Sequence, residues 1–157
     1  MEGEPGGTGG ELKSELRECR PADLPGVYEI EKASFPHPYD LSIFQAYQTR
    51  VSFSSFDGFL VAVDGNDIVG YVIFEYGRKG LIVSMAVHPG RRHRGIGSLL
   101  LGEALRRIER KCRGVELQVA VDNVRAQRLY REFGFSVVRR LINYYPGGED
   151  AFQMTRD

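Results

Sequence analysis

The stretch Val83-Ser84-Met85-Ala86-Val87-His88-Pro89-Gly90-Arg91-Arg92-His93-Arg94-Gly95-Ile96-Gly97-Ser98-Leu99-Leu100 joins an apolar run, a basic turn and the start of a helical pattern. Leu81 to Val87 is too short and too β-branched for a helix of its own, and Pro89-Gly90 closes it, so the run predicts a buried strand. From Ile96 onward the spacing changes. Leu101, Leu105, Ile108 and Cys112 recur three or four apart, while Glu103, Arg106, Arg107, Arg110 and Lys111 fall mostly elsewhere. That pattern is an amphipathic helix, which Gly114 can end. The first N–H groups of such a helix lack partners within it and its dipole adds roughly half a positive charge, so the turn from Arg92 to Gly97 suits a phosphate. With no Cβ at Gly95 and Gly97, phosphate oxygens can reach the amides, and Arg91, Arg92 and Arg94 add charge.

Several phosphate-binding patterns compete for this turn, beside an ordinary basic turn bent by glycines. A Walker A loop needs lysine and then Ser or Thr after its last glycine, and Ile96-Gly97-Ser98 has none. A dinucleotide fingerprint needs a third glycine where Leu100 stands. The pattern of Gln or Arg, two residues, Gly, one residue, and Gly or Ala is met by Arg92, Gly95 and Gly97. It resembles the pyrophosphate cradle of the Gcn5-related N-acetyltransferases.

Downstream, Val115, Leu117, Val119 and Val121 alternate with Glu116, Gln118 and Ala120, which predicts a strand with one apolar face. Asp122-Asn123 then offers a helix cap, Ala126, Leu129, Tyr130 and Phe133 form an inner stripe, and Gly134 ends the helix before a further strand over Phe135 to Leu141. Asn123, Ala126, Leu129-Tyr130 and Gly134-Phe135 are similar in order and spacing to the second signature of the same family. Two further stretches narrow the resemblance. Asn143-Tyr144-Tyr145-Pro146-Gly147-Gly148-Glu149-Asp150-Ala151 resembles the segment between the last two strands of RimI-type ribosomal-protein acetyltransferases and archaeal protein N-terminal acetyltransferases. Ala33-Ser34-Phe35-Pro36-His37-Pro38-Tyr39 is similar to the loop between their first two helices. The resemblance runs from Leu16 to Met154 and implies that the two loops face each other around the first residues of a peptide.

The rest of the chain agrees. A length of 157 residues suits one domain over 13–157, and Met1 to Gly10 is glycine-rich and acidic with nothing to bury, so residues 1–12 are expected to be a disordered tail. That tail lacks the apolar core of a signal peptide and no run approaches the length of a membrane span, so no membrane partner is expected. Cys19 and Cys112 form no metal-like pair, no metal is expected, and a reducing cytoplasm is the expected location. With 21 basic and 21 acidic residues, no direct nucleic-acid partner is expected; Arg106, Arg107, Arg110, Lys111 and Arg113 read as a solvated helix face. Pro21 to Phe35 predicts a helix with Leu24, Val27, Ile30 and Glu31 inward, and Leu41 to Gln48 a shorter one. Phe59 to Val63 and Asp67 to Tyr76 predict a hairpin about Asp64-Gly65-Asn66. The class is mixed α and β (α+β), and the resemblance implies a central, mostly antiparallel, twisted sheet flanked by helices.

The resemblance implies acetyl-CoA as cosubstrate, held by Met85, Ala86, Val87, Arg92, His93, Arg94, Gly95, Ile96, Gly97, Ser98, Asn123 and Tyr130. It places the Tyr130 hydroxyl near the coenzyme sulfur, as the general acid for the departing thiolate. Phe35, Pro36, Tyr39, Tyr144 and Tyr145 would wall the peptide's first residue. Neither cysteine falls in these signatures, which favours direct attack in a ternary complex over a thiol intermediate. The chain departs from RimI-type enzymes at Gln118, where they carry glutamate; an amide cannot hold the amine's proton. Glu75, Glu116 and His37 are the remaining groups that could act through water. Neutralising an α-ammonium at pH 7 costs about 1 kcal/mol and a lysine about 4.6 kcal/mol, so the missing carboxylate favours protein N-termini, a ribosomal protein among them. A small amine such as a polyamine or amino sugar, and a domain that binds acetyl-CoA without turnover, are the alternatives.

Overall fold

The structure, a computed structural model, describes residues 14–53, 55 and 57–157; the expected N-terminal tail lies outside them. In chain order the elements are β1 (Ser14–Glu18), a 3-10 turn (Pro21–Asp23), α1 (Leu24–Ser34), α2 (Leu41–Phe53), β2 (Asp57–Asp64), β3 (Asp67–Glu75), β4 (Gly80–Val87), a 3-10 turn (Pro89–Arg91), α3 (Ile96–Glu109), β5 (Val115–Ala120), α4 (Val124–Glu132), β6 (Ser136–Leu141) and β7 (Ala151–Arg156). The strands form a seven-stranded sheet in the order β1-β2-β3-β4-β5-β7-β6. Every neighbouring pair is antiparallel except β4 with β5, which α3 connects. The mixed fold with a mostly antiparallel sheet flanked by helices is therefore the one observed.

That parallel pair positions the site. Its register covers only Gly80↔Val115, Leu81↔Glu116 and Ile82↔Leu117. Beyond Ile82, β4 stays paired to β3 as far as Gly70↔Val87, and β5 stays paired to β7 as far as Ala120↔Ala151. The two strands are thus held by their outer neighbours while their facing edges part. The sheet opens there as a fork lined by backbone N–H and C=O groups that have no strand partner.

A bulge sits at the mouth of the fork. Ile73 pairs with Ser84 but Phe74 with Ile82, so Val83 is an extra residue in β4. Plain alternation would put Ile82, Ser84 and Ala86 on one face. Instead Ile82 joins the core under α3, while Ser84 and Ala86 pair with Ile73 and Tyr71 on the opposite face.

Each face of the sheet buries its own helices. On one, α3 lays Leu100, Leu101, Leu105 and Ile108 against Val72 and Phe74; on the other, α1 and α2 place Val27, Ile30 and Phe44 against Phe59 and Tyr71. Two glycines set the closeness of α3: a Cβ on Gly70 would lie 2.9 Å from Leu100 Cδ1, and one on Gly80 2.2 Å from Ile108 Cγ2. Gly80→Ala is expected to destabilise the fold by about 1–3 kcal/mol through overpacking, read as a lowered melting temperature.

Sequence expectations held for β2 to β5, α3, α4 and β6 within a few residues. α1 buries Leu24, Val27, Ile30 and Glu31 as its stripe implies, after a separate 3-10 turn. α2 runs to Phe53 and not to Gln48, because Arg50 is tied to Asp57 at 3.0 Å and to Glu75 at 3.8 Å, and Val51 packs on the core. β1 has no counterpart in the sequence reading: Ser-Glu-Leu-Arg-Glu is a charged edge strand, defined by its pairing with β2 and not by an apolar pattern.

Candidate active site

The helix-start end of the site has the geometry that its glycines suggest. Gly95 is the N-cap of α3 at φ +80°, a left-handed conformation natural to glycine, and no side chain caps the helix. Its first amides are therefore not claimed by a capping group. A Cβ on Gly97 would lie 3.3 Å from Leu129 Cδ2 and 3.8 Å from Val87 Cγ2, so Gly97 keeps α3, α4 and the end of β4 close. His93, at φ +66°, and Arg94 are exposed beside it, as is Ser98.

The three arginines of the turn part company. Arg91, which the sequence reading counted among the charges of the turn, is engaged by Asp64 at 2.6 Å and Asp67 at 3.2 Å and pins the turn to the β2–β3 hairpin. Arg92 donates from Nε to the Val87 carbonyl and from a terminal nitrogen to Ser34 Oγ, both at 3.2 Å, joining the end of β4 to the end of α1. Burial, and then the like charge of Arg125 on α4, push its pKa down. A guanidinium beside an uncapped helix start, repelled by a second one on α4, is an arrangement that an anion relieves. Arg125 escaped the sequence reading because its neighbourhood to Arg92 is tertiary.

Met85, Ala86 and Val87 occupy β4 beyond the last β4–β5 pair, on the open edge of the fork. Asn123 caps α4, its side chain accepting from the Ala126 amide at 3.2 Å, which leaves its amide nitrogen to donate elsewhere. Tyr130, one turn from the end of α4, is 6% exposed and its ring packs edge-on against Phe135 at 5.9 Å. Burial pushes its pKa up to about 12, and among the described residues its hydroxyl has no hydrogen-bond partner.

The two loops meet. His37 Nε2 lies 3.6 Å from Glu149 Oε2, and a Cβ on Gly147 would come within 2.2 Å of His37 Nε2. The β6–β7 loop is turned by Tyr144 and Tyr145 amides donating to the Glu149 carbonyl at 3.0 and 3.1 Å, and the two tyrosine rings stand perpendicular, 5.0 Å apart. Across from them Tyr39 is exposed and stacks edge-on with Phe44, Phe35 is half-buried against the α1–α2 core, and Pro36 is exposed. Burial raises the Tyr145 phenol, and the neighbouring Tyr144, Tyr39 and Tyr130 raise it further; Tyr130 also acts on Tyr71. Tyr144 and Tyr145 lie on the β6–β7 loop and Tyr39 on the α1–α2 loop. Tyr130 and Tyr71 belong to cores on opposite faces, and the sheet is open between those faces at the fork.

The candidate bases fare differently. Gln118 is the first β5 residue past the last β4–β5 pair, half-buried opposite Gln153 of β7. Glu75 accepts from the Tyr47 hydroxyl at 2.7 Å and sits beside Arg50, and Glu116 accepts from Gln153 at 3.4 Å. A carboxylate that the sequence reading did not single out as a base is hydrogen-bonded toward β4. Glu31 is 2% exposed, accepts a short hydrogen bond from Tyr71, and accepts from the Tyr39 amide at 2.9 Å; Tyr71 in turn meets Ser84 Oγ at 2.9 Å. Burial pushes the Glu31 pKa up, against the hydrogen bonds from the Tyr71 hydroxyl and the Tyr39 amide. The available signal was a glutamate on an otherwise apolar helical stripe. Cys19 is buried with its thiol pushed up to about 12 by that burial, unsuited to nucleophilic work. No helix among the described residues is long and apolar enough to cross a membrane.

Comparison with known proteins gives this geometry a context. Residues 24–135 match the model of the acetyltransferase (GNAT) family. An N-alpha-acetyltransferase of Saccharolobus solfataricus is 31% identical over 156 residues, covering 90% of this chain and 91% of that one. The crystal structure of Ard1 from Thermoplasma volcanium superposes with a TM-score of 0.84 at 28% identity, covering 92% of this chain and 97% of that one. The structure of Arabidopsis thaliana NAA60 in complex with acetyl-CoA superposes with a TM-score of 0.76 at 26% identity, covering 90% and 97% respectively.

Proposed function

The chain belongs to the acetyltransferase (GNAT) family, and from that premise we propose that it transfers the acetyl group of acetyl-CoA to the α-amino group of a protein N-terminus. The observation that carries this reading is the fork between β4 and β5, together with an uncapped, glycine-started helix and two tyrosine-bearing loops joined by the His37–Glu149 contact. The residues present fit acetyl-CoA. The amides of the α3 start, with Arg92 and Arg125, suit its pyrophosphate, and the free edge at Met85, Ala86 and Val87 offers its amide-bearing arm the bonds a missing strand would make.

The chain's own residues then have distinct work. Phe35, Pro36, Tyr39, Tyr144 and Tyr145 close around the first residue of the peptide, held as one wall by the His37–Glu149 contact. Gln118, at the opening of the fork, can hold a water or the peptide backbone. Tyr130 keeps its proton well above neutral pH and donates it to the sulfur as the thioester C–S bond breaks.

The reading is tested by incubating the protein with acetyl-CoA and short peptides beginning with Ser, Ala, Met or an acidic residue, following free thiol. Peptides with a free N-terminus are expected to release thiol, and the same peptides blocked at the N-terminus but carrying lysine to release at least about tenfold less, in line with the cost of neutralising each amine. Equal rates on blocked peptides, or turnover confined to small amines, would overturn it.

A further inference from the structure

Resting on the acetyl transfer proposed above, we propose that Glu31, reached through Tyr71 and Ser84, receives the proton that the substrate's α-ammonium must lose before it attacks. The three groups form one hydrogen-bonded line crossing from α1 through β3 to β4: Tyr71 donates to Glu31 Oε1, and the Tyr71 and Ser84 oxygens lie 2.9 Å apart. Its two ends differ in access. Glu31 and Tyr71 are sealed in the core, at 2% and 0% exposure, whereas Ser84 is half-exposed, two residues past the last β4–β5 pair. The bulge at Val83 turns Ser84 onto the α1 face, where Tyr71 can reach it; without the bulge Ser84 would follow Ile82 into the opposite core.

The step balances. A water at Ser84 takes a proton from the ammonium; one proton then passes from water to Ser84 Oγ, from Ser84 to Tyr71, and from Tyr71 to the Glu31 carboxylate, each hydroxyl ending with the proton count it began with. The neutral amine attacks the thioester carbon, the C–N bond forms and the C–S bond breaks. The second N–H proton makes good the one that Tyr130 gives the thiolate, and Glu31 returns its own to solvent. No tyrosinate is required at any stage.

Glu31 acts through Ser84 and not on the substrate, so it is a positioning residue for the proton. It also holds the peptide wall, because its other oxygen accepts from the Tyr39 amide. The titratable groups near it are the phenols of Tyr71 on β3 and Tyr39 on the loop, both raised by burial and then by its charge, and no ion pair reaches it among the described residues. Burial raises its pKa above the ordinary carboxylate value, which makes it a better proton acceptor. The fold meets a cost for this. A carboxyl raised above its unfolded value adds stability only while protonated and loses it as pH rises through the folded value, so ionised Glu31 is a liability at neutral pH.

The test is the pH dependence of kcat from 6 to 9 with the peptide that releases thiol fastest. Glu31→Gln is expected to melt no lower than the unaltered protein and to lose about tenfold or more in kcat at pH 7, the loss shrinking toward pH 9 where the amine neutralises itself. KM for the peptide should change less than kcat, and Glu31→Asp should recover part of the rate. Tyr71→Phe and Ser84→Ala break the same line while keeping the carboxylate, Ser84→Ala without removing any hydrogen bond made to it, and are expected to give the same pH-dependent loss; Ser84→Ala, at the accessible end, decides the matter if Glu31→Gln fails to fold. Profiles parallel to the unaltered protein's in the folded variants would overturn this assignment alone. No thiol release by the unaltered protein would instead overturn the acetyl transfer, and the assignment with it.

Discussion

Tyr130→Phe is expected to lower kcat by about 10²-fold or more while leaving the affinity for acetyl-CoA and the melting temperature close to those of the unaltered protein. The substitution removes one hydroxyl and leaves the ring against Phe135. That hydroxyl has no hydrogen-bond partner among the described residues, so its loss orphans no neighbouring polar group and costs the fold little. Its loss to the reaction is large, because the thiolate would leave with no donor beside it. The pKa of about 12 adds a second expectation. Tyr130 stays protonated throughout the working range, so kcat should show no falling limb from its ionisation between pH 7 and 10. Outright transfer to a thiol of ordinary pKa near 8.5 is uphill by roughly 5 kcal/mol, which requires the proton to move as the sulfur's charge develops and as the amine's second proton replaces it. Titration calorimetry with CoA, a melting curve and steady-state kinetics check all three quantities; an unchanged kcat would remove Tyr130 from the chemistry.

Gly97→Val is expected to weaken acetyl-CoA binding by about tenfold or more, a penalty of at least about 1.4 kcal/mol. A single Cβ at this position already comes within 3.3 Å of Leu129 Cδ2 and 3.8 Å of Val87 Cγ2. The first contact is with the end of a side chain that can give way, so Gly97→Ala should cost much less. Valine adds two methyl groups in the narrow space where α3, α4 and β4 converge, and where a phosphate would approach the first amides of α3. Calorimetry with CoA on both variants separates crowding of the phosphate seat from loss of the fold, which the melting temperature reports. Equal affinity for the unaltered protein and the valine variant would place the phosphates elsewhere.

Most of this site could be read from the sequence because its pieces are local. A strand, a basic turn and a helix start follow one another within the stretch from Val83 to Leu100, and the spacing of Gly95 and Gly97 carries the phosphate argument without tertiary information. The cap at Asn123 and the stripe through Tyr130 are equally local, and the structure has both. What escaped the reading depends on contacts between distant segments. Arg91 looks like its neighbours Arg92 and Arg94 until the β2–β3 hairpin brings Asp64 and Asp67 to it. Glu31 reads as one more inward position of α1 until Tyr71 and Ser84, 40 and 13 residues apart along their respective pairings, are laid beside it. The bulge at Val83 leaves no mark in a run whose every residue suits a strand, yet it decides which face Ser84 serves. β1 was missed for the opposite reason: its charged residues suit an edge strand only once β2 is there to pair with it.

The departure at Gln118 changes meaning in this setting. With an amide at the opening of the fork and the Glu31 carboxylate buried on α1, the proposed proton acceptor is separated from the surface proposed to meet the peptide. Such a site is suited to an amine that needs little help, which is the property that distinguishes an α-amino group from a lysine at neutral pH. The central claim is therefore one of regiochemistry, and one peptide can test it. A peptide with both a free N-terminal Ser and an internal lysine, incubated with the protein and acetyl-CoA at pH 7 and fragmented in a mass spectrometer, is expected to carry its acetyl group on the first residue; acetyl on the lysine, or on neither amine, would contradict it.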